Sequence, residues 1–245
     1  MIPPFRAPLN RKAKAVLRLT AMALITLVVS WAGWLVINNY VPPQDLPWAP
    51  LDLEAPVGHA TQTKLTDLEE HSGACFALLD RAGVEVTHVD LSPSRVECVV
   101  PAPMTLDRSL TPYSATLTMS CPLAAALHVW ERNVVLPEAE RLLGSKVVKI
   151  ETFGSYSCRR VNHRREGNWS EHARGAAIDI SGFLLEDGRR ITVKTDFRDP
   201  GPEGQFLRSI RDKACRVFRT TLSPDYNALH RDHLHLDMGR WKSCN

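Results

Sequence analysis

His172, Asp179, His233 and His235 are the residues whose types and spacing can do chemistry in this chain. The first two lie in Ser170-Glu171-His172-Ala173-Arg174-Gly175-Ala176-Ala177-Ile178-Asp179. The others lie in His230-Arg231-Asp232-His233-Leu234-His235-Leu236-Asp237. Two imidazoles and one carboxylate can bind zinc and leave a fourth position for water. That is the composition of a catalytic zinc site, not of a closed structural one. A lone histidine is usually a surface group. Here four of the nine histidines crowd into two short stretches with apolar alternation around them, the context that a metal site needs.

The elements that must position these groups follow from periodicity. Residues two apart on a strand share a face. A strand over His233–Asp237 therefore points His233, His235 and Asp237 one way and Leu234 and Leu236 into a core. A second short strand, Ala176–Ile180, buries Ile178 and Ile180 and turns Asp179 the other way. Gly175 supplies a turn that can bring His172 back toward Asp179. Elsewhere, Lys64–Ala82 reads as a helix with Gly73 weakening its middle, Val84–Val89 as a strand and Val96–Val100 as another. Pro122–Leu136 reads as a helix that Pro137 ends or kinks before Leu143. Its His128 reads as an exposed or satisfied structural histidine. Lys146–Phe153 and Ile191–Val193 read as strands, Gly154–Arg159 as a loop and Gln205–Thr220 as a helix.

The N-terminus has a different character. Arg6, Arg11, Lys12, Lys14 and Arg18 precede an uncharged run, Leu19–Ile37, roughly 19 residues and enough to cross a bilayer as a helix. Trp31, Trp34 and Tyr40 lie toward its far end, where aromatic side chains favour the interface, and the basic flank should stay cytoplasmic. A cleaved signal peptide is the rival. Ser30-Trp31-Ala32 offers a passable cleavage site, but the apolar run continues past it to Ile37. The expected layout is a cytoplasmic basic segment (1–18), a transmembrane anchor (19–40), a Pro-rich linker (41–62) and one exported domain (63–245), so that the chain crosses a membrane once.

All six cysteines follow the apolar run, and none forms a C-x-x-C pair. In an exported chain that spacing implies disulfides, with Cys75–Cys98 the most local pairing. The 245 residues are 44% hydrophobic and 23% charged with a net charge of +3. That is globular, and too weakly basic to argue for nucleic acid. The arginines appear scattered, with no basic stripe. The fold class expected is α+β: a small antiparallel sheet with flanking helices carrying a zinc site, preceded by one transmembrane helix.

Three stretches resemble the bacterial extensin-like C-terminal domain family. They are Gly154-Ser155-Tyr156-Ser157-Cys158-Arg159, then Ser170-Glu171-His172-Ala173-x-Gly175-x-Ala177-x-Asp179, then Leu222-Ser223-Pro224-Asp225-Tyr226-Asn227-x-x-His230-x-Asp232-His233-x-His235-x-Asp237. That family is in turn similar to the fold shared by lysostaphin-type, D-Ala-D-Ala and hedgehog-type metallopeptidases. The resemblance implies one zinc ion held by His172, Asp179 and His235, peptidoglycan peptides as substrate, and a single pass through a bacterial inner membrane with residues 63–245 in the periplasm. The family name misleads in one respect: no Ser-Pro repeat of a plant extensin occurs here.

The implied chemistry is zinc-assisted hydrolysis of an amide bond. His233 is the first choice of general base and Asp232 its rival, although on an ideal strand Asp232 faces away. His230 can line the site. Arg159 can grip a substrate carboxylate through its planar fork, and Ser157 can contact substrate from the same loop. Glu171 and Asp237 are candidates for orienting the ligands. A zinc-containing wall-binding domain without catalysis is the alternative. A non-haem iron enzyme is a more remote one, since two histidines and a carboxylate also make a facial triad. Protein partners are not legible.

Overall fold

The structure is a computed structural model that describes residues 11–92 and 95–245. Arg6 lies outside the described residues. The chain divides into two units, Met1–Pro43 and Gln44–Asn245.

In the first unit, helix α1 (Arg11–Tyr40) carries the apolar run. It is long and apolar enough to cross a membrane, a criterion that a signal sequence near the N-terminus also meets. Its few polar side chains turn back on the helix. The hydroxyls of Thr20 and Thr26 donate to the carbonyls of Leu17 and Met22, and the Asn39 amide donates to that of Leu35. Such self-satisfaction is what an apolar surrounding demands of a polar group.

The second unit runs α2 (Thr61–Asp67), α3 (Ser72–Arg81), β1 (Glu85–His88), β2 (Met104–Arg108), β3 (Leu117–Met119), α4 (Cys121–Trp130), α5 (Leu136–Leu143), β4 (Val147–Gly154), β5 (Ala177–Leu185), β6 (Arg190–Thr192), α6 (Val193–Asp196), α7 (Pro202–Ala214), β7 (Thr220–Leu222), β8 (Leu234–Asp237) and β9 (Ser243–Cys244). Strands β1-β2-β3 form one antiparallel sheet. The larger sheet has the order β4-β5-β8-β7-β9, with β6 paired to β5. It is antiparallel except where β9 joins β7. The α+β class with an antiparallel sheet holds, with a second sheet added.

The core lies on one face of the larger sheet. Ile178 and Ile180 of β5 and Leu234 and Leu236 of β8 are fully buried there. Phe183, also on β5, meets Trp130 of α4 and Phe206 of α7 at ring separations of 6.4 and 5.2 Å. The Trp130 indole N–H donates to the Ile210 carbonyl, so the largest buried ring leaves no orphaned polar group. Strand alternation then obliges Asp179, His235 and Asp237 to face the opposite side.

Several sequence expectations need correction. The helix over 64–82 is two helices, α2 and α3, broken at His71, with Gly73 in the first turn of α3. Val96–Val100 is not a strand but a 3-10 turn, Val96–Cys98, with Val96 exposed. It is held by a disulfide rather than by a ladder. The helix after Pro122 passes Leu136 through a π-helical turn, Glu131–Val135, into α5. Pro137 cannot donate to the preceding turn, and the wider turn absorbs that loss without ending the helix. The helix over 205–220 stops at Ala214, and Thr220 already belongs to β7.

The expected linker, 41–62, is packed structure from Gln44 onward. Leu46 and Leu53 are buried. The Glu54 carboxylate accepts from His128 Nε2 at 2.9 Å and pairs with Arg132. Gln62 donates to the Cys215 and Phe218 carbonyls. Prolines prevent helix here but leave main-chain carbonyls free for side-chain donors, a pattern with no periodicity to read. His128 is accordingly a buried structural histidine.

The disulfides are Cys75–Cys121, Cys98–Cys158 and Cys215–Cys244. They replace the local Cys75–Cys98 pairing. One ties α3 to α4, another fixes the loop after β4, and the last joins the end of α7 to β9.

The π-helical turn also buries a carboxyl group. Glu131 is fully buried and accepts from the Thr111 N–H at 2.9 Å and the Tyr113 hydroxyl at 2.7 Å. Burial raises its pKa to about 7, against the opposing hydrogen bonds from Tyr113, Ser109 and Thr111. A carboxyl raised in the folded state contributes stability at low pH. That contribution is lost as pH rises from the unfolded value near 4.5 through about 7. The expected outcome is that Glu131→Gln costs more at pH 5 than at pH 8, with the change in melting temperature narrowing by several degrees. A pH-independent difference between the two proteins would show that Glu131 stays ionised when buried.

Candidate metal centre

The site is built on the face of β5 and β8 opposite the core, where Asp179 and Asp237 are themselves buried. Asp179 lies directly opposite His235 in the antiparallel register, and Ala177 opposite Asp237. His172 arrives from a 3-10 turn, Glu171–Arg174. Ser170 caps that turn by accepting from the His172 N–H, and Gly175 closes it at φ +62°. A side chain at Gly175 would be strained by that φ. Its Cβ would also stand 2.9 Å from Val100 and 3.2 Å from Met119. Glycine is therefore required for His172 to turn back onto Asp179.

Three ligand-type atoms converge. His172 Nε2 lies 3.2 Å from Asp179 Oδ1 and 3.2 Å from His235 Nδ1, and His235 Nδ1 lies 2.9 Å from Asp179 Oδ1. The outer nitrogens are already committed. His172 Nδ1–H donates to the Ser155 carbonyl at 2.6 Å, and His235 Nε2–H donates to Asp237 Oδ2 at 3.0 Å. Each imidazole thus turns a lone pair inward beside a carboxylate. Three acceptors in contact need a shared positive charge. A tetrahedral ion with bonds of about 2.0–2.1 Å spaces its ligands by about 3.3 Å, close to the separations here. The set therefore fits a divalent metal of the zinc type.

The protein atoms alone favour a proton at this point. Burial opposes charge on His235, but hydrogen bonds to Asp179 and Asp237 outweigh it and raise the pKa to about 9. Burial likewise pushes the Asp179 carboxyl up, and the two histidines overcome it, holding that carboxyl well below the usual carboxylate range.

The remaining predicted residues fall in and around a cavity of about 540 Å³ that includes this face. His233 precedes β8 rather than lying on it, yet its Nε2 reaches within 3.5 Å of Asp179 Oδ1. Its Nδ1–H donates to Asp232 at 3.0 Å. Asp232 sits behind that ring and is not part of the cavity wall. His230 lines the wall, with ring centres 5.1 Å from His233 and 5.9 Å from His235. Asn227 Oδ1 already accepts from the Leu229 N–H, so His230 Nδ1–H donates to the same oxygen. Burial, then the charges of His233 and His235, lower the His230 pKa to about 4. Arg159 also lines the cavity, its guanidinium 3.9 Å from Asp179 Oδ2.

Ser157 is not brought to the cavity. Its side chain is exposed, and its N–H donates to the His172 carbonyl at 3.0 Å. The loop residue that holds the ring of a ligand-type histidine is Ser155, through its carbonyl. Residue type does not reveal this contact, because any residue can present a backbone acceptor. Tyr226, Asn227 and Trp169 also line the wall. Of these, Asn227 had a legible signal, as an Asn three residues before a histidine at a turn. Glu171 is turned against Gly239 and away from His172, and burial with the nearby Asp237 raises its pKa.

A family model, the C-terminus of extensin-like proteins, matches residues 73–245. The chain belongs to the extensin-like family. The matched span contains both sheets and every residue of the candidate centre. No curated protein matches the chain.

The hydrogen bonds make a direct prediction for this extensin-like domain. With a chelator present, ring-proton NMR should report His235 as charged up to about pH 9 and His230 as neutral above about pH 4. Asp237→Asn removes one of the two carboxylates facing His235 and should lower its midpoint. An unmoved midpoint would show that Asp237 does not hold the ring.

Proposed function

We propose that this extensin-like protein is a zinc-dependent peptidoglycan peptidase. It would hydrolyse stem-peptide or cross-link amide bonds, as an endopeptidase or a carboxypeptidase. Helix α1 would anchor it in a bacterial inner membrane with residues 44–245 in the periplasm, where the disulfides persist. The kinship to lysostaphin-type, D-Ala-D-Ala and hedgehog-type peptidases belongs to the same proposal. One observation carries it: two imidazole lone pairs and a carboxylate converge about 3 Å apart, with His233 Nε2 beside them at 3.5 Å from Asp179 Oδ1.

His172, Asp179 and His235 would hold one zinc ion. Bound there, zinc supplies Lewis acidity and lowers the pKa of water toward about 7. The rest of the chemistry belongs to the protein. Asp232 accepts the Nδ1 proton of His233 and so fixes the tautomer whose Nε2 faces the site. That nitrogen is placed to take a proton during attack and return it to the leaving amine. His233 is therefore the base, and Asp232 positions it. His230, neutral at physiological pH, presents its own Nε2 lone pair and can accept from a substrate amide N–H. Arg159 offers a guanidinium to a stem-peptide carboxylate.

The test uses the full chain in neutral detergent on purified sacculi, with zinc or with a chelator, and mass spectrometry of the released muropeptides. A zinc-dependent product is expected, and its mass names the bond cut. His233→Ala should retain one zinc and lose about 10²–10⁴ in turnover, whereas His172→Ala should lose the metal. A folded protein with one tight zinc and no product would overturn the hydrolase and leave a zinc-containing wall-binding domain. Iron in place of zinc after anaerobic purification would overturn the metal assignment.

A further inference from the structure

Beside the cavity lies a basin of which the mechanism above uses only Arg159. Arg95, Arg159, Arg160, Arg164, Arg165 and His163 surround Trp169 in a depression of about 280 Å³. Arg159, Arg160, Arg164 and Arg165 lie within seven residues of sequence and the fold adds Arg95, which corrects the expectation that the arginines are scattered and form no basic surface. The gathering is specific. The Arg160 guanidinium stands 4.4 Å from the Trp169 ring centre and that of Arg95 stands 5.9 Å from it. Arg160 and Trp169 form an antiparallel bridge, the Val161 N–H donates to the Asn168 carbonyl, and Arg160 donates to the Gly167 carbonyl. These bonds close the segment between them into a hairpin with Arg164 and Arg165 exposed on it. Asn162 and His163 both take left-handed backbone, at φ +56° and +55°. The Cys98–Cys158 disulfide joins the segment that carries Arg95 to the one that carries Arg159.

Among the described residues, no carboxylate pairs with Arg95, Arg160, Arg164 or Arg165. Like charges held this close repel one another, and an incoming anion relieves that repulsion. Planar guanidinium forks favour carboxylate and phosphate oxygens, and the indole adds an apolar floor. The basin is also continuous with the metal centre, because Arg159, His163 and Trp169 line both cavities.

We propose that the Trp169 basin is a docking subsite for a carboxylate-bearing segment of the polymer bound in the adjoining cleft. The identity of that polymer rests on the proposed function, but the recognition chemistry does not. Continuity with the cleft favours a polycarboxylate substrate strand over an anionic lipid surface.

The experiment is co-sedimentation of the full chain, in neutral detergent with a chelator, with sacculi whose carboxyls are free or blocked as neutral amides. Binding should be salt-sensitive, and blocking the carboxyls should weaken it about tenfold. The triple variant Arg95→Gln/Arg164→Gln/Arg165→Gln changes only exposed side chains. It should bind free sacculi about tenfold more weakly and, where turnover is measured, raise KM with kcat unchanged. Equal binding to free and blocked sacculi, or an undiminished triple variant, would overturn the subsite. So would binding to vesicles containing anionic phospholipid with none to sacculi. Because the chelated assay needs no hydrolysis, carboxylate-dependent binding there, followed by no cleavage of the same sacculi once zinc is restored, would refute the peptidase and leave the subsite standing.

Discussion

The convergence of His172 Nε2, His235 Nδ1 and the Asp179 carboxylate is the constraint around which the domain is arranged. Each pair of these atoms is 2.9–3.2 Å apart, and all three are acceptors once the outer ring nitrogens have donated. Such a group is unstable unless it shares a cation or a proton. The protein does nothing to relax it. Asp179 and His235 are fixed opposite each other in a sheet, Gly175 forces His172 onto them, and Ser155 and Asp237 lock both tautomers. Holding acceptors together in this way makes sense where a cation outcompetes the proton, since ligand atoms that are already oriented lose little freedom on binding.

Such fixity needs a rigid base, and the core supplies one. The strands that carry Asp179 and His235 on one face place Ile178, Ile180, Leu234 and Leu236 on the other, all fully buried. A shift of one residue in the β5–β8 register would exchange these faces, burying the carboxylate and exposing the aliphatic side chains. The register that packs the core is thus the register that assembles the site. The loop segments lack this discipline, and covalent bonds replace it. Cys98–Cys158 secures the loop bearing Ser155 and Arg159, and Cys215–Cys244 ties β9 to the end of α7.

The difference between what the sequence reveals and what it conceals follows the same division. Alternation around Asp179 and His235 is a local signal with period two, and the two strands and their outward residues follow from it. Gly175 was legible as the turn returning His172, because a positive φ selects for glycine. Interactions made by backbone or by residues distant in the chain were not legible. Ser155 acts through its carbonyl, so Ser157, with a more conspicuous side chain context, was the wrong choice. The strap from Gln44 to Ala60 has no periodicity, since its prolines and its carbonyl acceptors fit many conformations. Cys75 found Cys121 rather than Cys98 because α3 packs on α4, a tertiary fact. Arg95 joins Arg160 only through the fold around Trp169. Pro137 marked a break in helical geometry, but only the π-helical turn explains how the chain continues past it.

Charge placement across the cleft completes the picture. The carboxylates of Asp232 and Asp237 sit behind His233 and His235, each bonded to the ring nitrogen turned away from Asp179. The guanidinium of Arg159 stands on the open side, and the other arginines extend outward from it. Negative charge therefore backs the imidazoles while positive charge faces the entrance. An anionic ligand approaching this surface is drawn to the arginines, while Asp237 is buried and the partly exposed Asp232 is hydrogen-bonded to the His233 ring. Within the cleft the same carboxylates strengthen the imidazoles as bases and ligands. One arrangement thus serves two steps that would conflict if the charges were exchanged: attraction of an anionic chain from outside, and retention of a cation within.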